Sequence, residues 1–182
     1  MDDADDAVKE LESIADSLRE RYLGKEKTDP WKGSRFDWIR TLPSRRRGKV
    51  GEELVKSLCK NRGLDVRSSP DSEADLIIED RRVEVKFSTL WETGVYKFQQ
   101  IRNQNYEFAV CLGISPRDAH CWVIRKDVLR EHAIPQHTGA AGTETFWLAV
   151  NPGSPPSWLT KGQHGGRLSD GLNILEGWKH TR

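Results

Sequence analysis

The fold of this chain is decided by one stretch, Asp75-Leu76-Ile77-Ile78-Glu79-Asp80-Arg81-Arg82-Val83-Glu84-Val85-Lys86-Phe87. Two runs rich in β-branched residues flank a polar segment, which is the pattern of a β-hairpin. Successive side chains of a strand point to opposite faces. Val83 and Val85 therefore share one face, and that face is apolar. Glu84 and Lys86 share the other face, which is ionic.

The first strand of this hairpin brings a second carboxylate to the ionic face. We expect an even-length loop that pairs Ile78 with Val83. In that register Asp75 lies opposite Lys86 and diagonal to Glu84, within about 8 Å. A slip of one residue would turn the buried side chains toward water, so the apolar pattern itself groups the three charges.

Two carboxylates and one ammonium are suited to metal-assisted hydrolysis of a phosphodiester. Asp75 and Glu84 would be oxygen ligands for Mg²⁺, for which we expect Mn²⁺ to substitute, and would leave positions open for water and phosphate. The cation would lower the pKa of a bound water and neutralise charge on the phosphate. Lys86 would orient or activate that water. The alternative is a solvated strand surface, where mixed charges are common.

Four segments around the hairpin resemble the PD-(D/E)XK nuclease superfamily, which includes many restriction endonucleases and the archaeal Holliday-junction resolvases. The resemblance covers about residues 48–125. It implies a restriction-endonuclease-like core and a Mg²⁺-dependent nuclease activity. The segments that carry it are Gly48-Lys49-Val50-Gly51-Glu52-Glu53-Leu54-Val55, Gly63-Leu64-Asp65-Val66-Arg67, Glu73-Ala74-Asp75-Leu76-Ile77 and Val83-Glu84-Val85-Lys86.

The resemblance also adds acids to the candidate site. The family often places a glutamate of the preceding helix at the metal, and Glu52 matches that position better than Glu53 does. The alternative for Glu52 is a surface residue of an amphipathic helix. The literal Pro-Asp pair of this chain is Pro70-Asp71. We assign the metal-ligand role to Asp75 from the hairpin geometry and interpret Asp71 as a loop residue.

Polar residues farther from the hairpin are further candidates for the site. The resemblance implies that residues near Arg67, Gln99 and Gln100 contact phosphate or position water. The alternative is a charge at a strand end for the arginine and a helix surface for the two glutamines.

The overall charge conceals a basic segment. The chain has 182 residues, with 29 Lys plus Arg against 28 Asp plus Glu, and a net charge of +1, whereas nucleic-acid-binding domains are often strongly basic. Residues 1–20 carry a local charge of −6 and residues 21–62 a local charge of +8. Within the second segment a run of bases leads into the helix that bears Glu52, and we predict that it binds phosphates. The alternative is an unstructured or signal-like tract. The run consists of Arg45, Arg46, Arg47 and Lys49.

The periodicity of apolar residues predicts alternating helices and strands. Their order favours an α/β fold with a mixed β-sheet flanked by helices on both faces, preceded by an N-terminal helical arm. We predict an arm and basic connector over 1–47, a nuclease core over 48–134 and a loop-rich extension over 135–182. The predicted helices span residues 5–23, 49–61, 96–104 and 126–132, and the predicted strands span residues 64–67, 75–78, 83–87, 107–114, 120–124 and 145–150.

These features together favour a metal-dependent DNA endonuclease, most similar to a type II restriction enzyme that cuts double-stranded DNA. Cutting both strands needs two active sites, so we expect a homodimer, with the helix over residues 5–23 as a candidate contact. One alternative is a structure-specific nuclease or nicking subunit, similar to a junction resolvase. Another is a non-catalytic DNA-binding module that keeps the fold.

Several classes of protein are disfavoured. No apolar run approaches the ~18 residues of a membrane span, so we expect no membrane association. The glycine-rich stretches are not followed by Gly-Lys-Ser/Thr, so we expect no nucleotide cofactor. The acidic N-terminus and three cysteines without paired spacing predict a cytoplasmic protein that lacks a signal peptide.

Overall fold

The protein is described by a computed structural model that covers residues 8–9, 11–18, 29–136 and 144–180. The chain divides into two compact units, residues 1–32 and residues 33–182. In the first unit, residues 8–9 and 11–18 are helical, in agreement with the predicted arm. The remainder of the predicted arm helix lies outside the described residues.

The second unit contains the predicted mixture of helices and strands. Its helices are α1 (Asp37–Arg40), α2 (Ser44–Asn61), α3 (Lys126–His132), α4 (Ser157–Lys161) and α5 (Leu168–Gly177), followed by a 3-10 turn at Trp178–His180. Its strands are β1 (Val66–Ser68), β2 (Leu76–Ile78), β3 (Arg81–Thr89), β4 (Tyr96–Arg102), β5 (Phe108–Ile114), β6 (Ala119–Arg125), β7 (Ile134–Gln136), β8 (Thr145–Val150) and β9 (Gly165–Arg167).

Six of the strands form one mixed sheet in the order β1-β2-β3-β5-β6-β9. Strands β3 and β5 are parallel, and the other neighbours in this sheet are antiparallel. A second, antiparallel sheet has the order β4-β8-β7. The mixed sheet of the predicted α/β fold is therefore confirmed.

Helices flank both faces of the large sheet. On one face, Val55 of α2 and Leu172 of α5 belong to the same buried core as Val85. On the other face, the core includes Leu129 of α3 and Leu159 of α4, together with the second sheet. No helix among the described residues combines the length and the apolar character that crossing a membrane requires.

The predicted helix over residues 96–104 is wrong, because this segment is strand β4. Tyr96 and Phe98 are fully buried, but the next buried residue is Ile101. The pairing with β8 shifts between Phe98 and Ile101, which marks a β-bulge. The extra residue of the bulge gives the apolar residues a spacing of three, and this spacing resembles the period of a helix.

Helix α2 begins at Ser44, five residues before the predicted start at Lys49. The basic run therefore belongs to the first turns of a helix and is not an unstructured tract. The helix packs on β3 at Gly51, which is buried. A Cβ atom at Gly51 would lie 2.3 Å from the Cβ of Phe87, so only glycine permits this approach of helix to strand.

Candidate active site

The hairpin has the predicted faces but a different register. A two-residue turn at Glu79 and Asp80, both with positive φ, joins β2 to β3. Leu76 pairs with Val83, whereas we predicted that Ile78 would pair with Val83. The difference is an even number of residues, so every side chain keeps its predicted face.

This register places Asp75 beside Glu84, and the predicted position opposite Lys86 is wrong. The backbone N–H of Asp75 donates to the carbonyl of Val83 at 3.0 Å. The Oδ2 atom of Asp75 accepts a hydrogen bond from the backbone N–H of Val85 at 2.7 Å. Asp75 is thus held by the backbone of β3, the strand that carries Glu84.

The two carboxylates lie close enough to affect each other. Partial burial of Asp75 and the neighbouring charge of Glu84 raise the pKa of Asp75. The side chain of Glu84 is only 7% exposed. A pair of acids in such a position is electrostatically unfavourable unless a cation offsets it.

Lys86 supplies one such cation. Its Nζ lies 2.7 Å from Oε1 of Glu84, and the side chain is 15% exposed. The same Nζ donates to the backbone carbonyl of Gln100 at 2.9 Å. Two acceptors on different strands therefore fix the position of the ammonium.

The bulge in β4 creates the second of these acceptors. Gln100 has a φ of 54°, an uncommon value for a residue other than glycine. This conformation accompanies the irregular pairing between Phe98 and Ile101. Functional positions often hold such backbone geometry. The side chains of Gln99 and Gln100 are exposed and line the same cleft as Lys86.

Helix α2 brings a third acid to this region. Glu52 lines the cleft with Asp75 and Glu84. Its Oε2 lies 2.6 Å from Nζ of Lys49. Within the described ranges, no group of three His, Cys, Asp or Glu side chains could hold a metal ion together. A role for Glu52 as a third ligand stays a prediction.

The cleft has a volume of about 630 Å³. It contains every predicted site residue except Arg46 and Arg67. The predicted residues that line it are Arg45, Arg47, Lys49, Glu52, Asp75, Glu84, Lys86, Gln99 and Gln100.

The entrance of the cleft is basic and is formed by the start of α2. The first turn of this helix has no acidic residue. The N-terminal end of a helix already carries about half a positive charge, which disfavours cations there. Arg45 and Arg47 add to it and line the cleft. The helix terminus and its arginines together favour an anionic ligand such as phosphate.

The remaining predicted residues lie elsewhere. Arg67 is on β1, where its guanidinium lies 3.4 Å from Asp65 and 3.3 Å from Asp80. Arg46 lines a neighbouring groove with Trp38 and Lys49. Asp71 is a loop residue, as predicted.

Asp71 organises its own loop. An ion pair joins it to Arg82 at 2.5 Å, and it accepts the backbone N–H of Glu73 at 3.0 Å. The hydrogen bond from Arg82 lowers the pKa of Asp71. Asp71 and Asp75 thus differ in the sign of their pKa shifts.

The lining residues that sequence reasoning missed include Trp91 and Lys97. Nζ of Lys97 lies 3.8 Å from the centroid of the Trp91 ring. These residues reach the cleft because β4 folds back beside β3, and the assignment of β4 as a helix concealed this. Correct strand alternation over Tyr96–Phe98 would have placed Lys97 on the face opposite the buried aromatic rings.

The donor set is compatible with a divalent cation. Mg²⁺ is bound in many proteins through one or two carboxylates, with the other positions taken by water and substrate phosphate. Asp75 and Glu84 offer such oxygens. A bound cation would offset the repulsion between these two carboxylates. The residues present therefore fit the implied metal.

Comparison with known proteins leaves the family of this chain open. No protein-family model matches the sequence, and no curated protein matches it. Among solved structures, the bacterial homing endonuclease I-Ssp6803I matches with a TM-score of 0.47 and 17% sequence identity, over 77% of this chain and 99% of that chain.

Proposed function

We propose that this chain is a metal-dependent DNA endonuclease that hydrolyses phosphodiester bonds. The observation that carries the proposal is the convergence of Asp75, Glu84 and Lys86 in a cleft with a basic entrance. An acidic pair beside an arginine-bearing helix terminus suits a ligand that combines a cation with a phosphate.

Asp75 and Glu84 would hold Mg²⁺, with Glu52 as a further candidate. When bound, the cation supplies a Lewis acid that offsets negative charge on the phosphate. The Val85 N–H orients Asp75, and the rigid strand β3 carries Glu84.

Lys86 would act on the attacking water or on the phosphate oxygens. Its contacts with Glu84 and the Gln100 carbonyl keep Nζ inside the cleft. A fixed ammonium at that point can orient water and stabilise charge that develops in the transition state.

Arg45, Arg47 and Lys49 would bind the phosphate backbone outside the reacting centre. Such contacts give affinity without sequence information and weaken as salt concentration rises. They suit either a restriction-type enzyme or a nuclease that recognises DNA structure.

Duplex cleavage of the restriction type is the first candidate, and it requires two active sites. The described part of the arm supports self-association through an exposed apolar stripe. Its residues are Val8, Leu11, Ile14 and Leu18, with exposed fractions of 51%, 65%, 49% and 43%.

A structure-specific nuclease is the second candidate. The exposed indole of Trp91 at the cleft favours it, because an aromatic ring can stack on a base that is not paired. Arg67 lies outside the cleft and is not required by either candidate.

The first test is cleavage of supercoiled plasmid and of branched DNA, with Mg²⁺ and with a chelator. We expect cleavage that Mg²⁺ supports and chelation abolishes. Discrete linear fragments would favour the restriction type, and cleavage of branched DNA alone would favour the structure-specific type. DNA binding with no cleavage of any substrate would contradict the proposal and favour a non-catalytic module.

A further inference from the structure

The turn between β3 and β4 presents an exposed aromatic ring at the cleft. Trp91 is 43% exposed and lines the cleft together with Lys86 and Gln99. Neither buried core of the described residues includes its side chain. A large apolar ring in that position does not serve packing of the core.

The backbone of this turn is fixed. The N–H of Trp91 donates to the carbonyl of Val95 at 3.0 Å, and the N–H of Gly94 donates to the carbonyl of Trp91 at 2.9 Å. Gly94 has a φ of 76°, which glycine adopts without strain. The indole is therefore attached to a turn that two backbone hydrogen bonds close.

A cation accompanies the indole. Nζ of Lys97 lies 3.8 Å from the Trp91 ring centroid and 6.0 Å from that of Trp147. The backbone N–H of Lys97 donates to Oγ of the buried Ser88 at 3.0 Å, which ties β4 to the end of β3. An ammonium and an aromatic ring thus occupy one side of the cleft in a fixed arrangement.

We propose that Trp91 and Lys97 form a binding subsite for an unpaired nucleobase and its phosphate, next to the reacting centre. The indole face that Lys97 does not cover would offer a stacking surface, and the ammonium would offer a phosphate contact. Proteins hold single-stranded nucleic acid by this combination of contacts. A base inside a duplex is stacked on its neighbours and cannot reach a side-chain ring without leaving the stack. The subsite therefore favours the second candidate, the structure-specific nuclease, over the restriction type. Its substrate would be DNA in which one base beside the cut is unpaired, as at a branch, a gap or a flap. This inference rests on the proposed nuclease function and narrows its substrate class.

The test uses the full chain and two fluorescein-labelled probes, a fully paired duplex and the same duplex with a short unpaired flap. Trp91→Ala is expected to bind the flap probe about 10-fold more weakly than the wild type, because it removes the ring on which the base would stack. Its affinity for the paired duplex should not change. Trp91→Phe should retain most of the flap affinity because it keeps an aromatic ring.

Trp38→Ala is the matched control, because Trp38 is 55% exposed but does not line the cleft. It should bind both probes as the wild type does. Equal flap binding by Trp91→Ala and the wild type would overturn the subsite. An equal loss of affinity for both probes in Trp91→Ala would also overturn it.

Mg²⁺-dependent cleavage by the wild type distinguishes failure of the subsite from failure of the proposed nuclease function. If cleavage occurs while Trp91→Ala binds normally, only the subsite is wrong, whereas absence of cleavage contradicts the nuclease itself.

Discussion

At the scale of single residues, Asp75 and Asp71 are four positions apart and have opposite environments. Burial and Glu84 raise the pKa of Asp75, whereas Arg82 lowers that of Asp71. A raised pKa means that the folded protein holds the proton more tightly than the unfolded chain does. Stability therefore falls as the pH rises from the ordinary value of 3.8 through the raised pKa of Asp75.

We predict that Asp75→Asn is more stable than the wild type at neutral pH, by about 1 kcal/mol, the usual gain from relieving an unfavourable site. The amide can still accept the Val85 N–H, but it carries no charge beside Glu84. The gain should shrink as the pH falls and Asp75 takes up its proton. Urea unfolding at neutral and acidic pH measures this difference.

Asp71→Asn is the control, and its effect on stability at neutral pH should be the opposite of that of Asp75→Asn, because it removes the acid that pairs with Arg82. A group whose pKa is lowered by folding stabilises the folded protein at any pH above its ordinary pKa. This stability is lost as the pH falls through the lowered pKa. We therefore expect Asp71→Asn to be less stable at neutral pH than the wild type. A wild type more stable than Asp75→Asn at neutral pH would contradict the assigned environment of Asp75.

At the scale of secondary-structure elements, the contact between α2 and β3 positions the cleft. Gly51→Ala would place a methyl group 2.3 Å from the Cβ of Phe87, which belongs to the strand that carries Glu84 and Lys86. Overpacking of this kind is expected to destabilise the protein by about 2–3 kcal/mol. Chemical unfolding gives the difference.

Gly48→Ala provides the comparison on the same helix, because a Cβ there meets nothing within 4 Å. Alanine favours a helix over glycine by about 0.5–1 kcal/mol, so this variant should be slightly more stable than the wild type. Equal effects of the two substitutions would contradict the close approach of α2 to β3.

The sequence predicted the elements whose signals are local. Helix α3 and strand β8 occur with the predicted bounds, Lys126–His132 and Thr145–Val150. The faces of the hairpin were also predictable, since the two-residue period of a strand is independent of register. Asp75, Glu84 and Lys86 could therefore be grouped from the sequence.

The remaining features depend on backbone geometry that the sequence did not reveal. The turn at Glu79 and Asp80 requires two positive φ angles, and this altered the register. The bulge at Gln100 altered the spacing of apolar residues in β4 and produced the incorrect helix. The position of Trp91 on the cleft follows from β4 and was missed for the same reason.

At the scale of the whole molecule, an almost neutral net charge is compatible with a nucleic-acid ligand. The charge is unevenly distributed, with −6 over residues 1–20 and +8 over residues 21–62. Arg45 and Arg47 of the basic segment line the cleft. Two carboxylates at its centre repel phosphate until a cation is bound. DNA binding should therefore strengthen when Mg²⁺ is present.

We propose that two copies of the chain associate through the apolar stripe of the arm. The double variant Leu11→Asp and Leu18→Asp should then be monomeric, because it places charges in a buried contact. Ser13→Asp is the control, since it adds a charge to an exposed position outside the stripe. Sedimentation or light scattering gives the mass. An unchanged dimer in the double variant, or a monomeric wild type, would contradict this role of the arm.

The most direct test of the proposed chemistry compares the cleavage rates of the wild type, Asp75→Asn, Lys86→Met and Asp71→Asn on the same DNA with saturating Mg²⁺. We expect Asp75→Asn and Lys86→Met to be at least about 100-fold slower, the usual loss when a group that acts in the transition state is removed. Asp71→Asn should cut at nearly the wild-type rate, because its carboxylate serves the loop and Arg82. Equal cleavage by the wild type and Asp75→Asn, or an equal loss in Asp71→Asn and Asp75→Asn, would contradict the assignment of the active site.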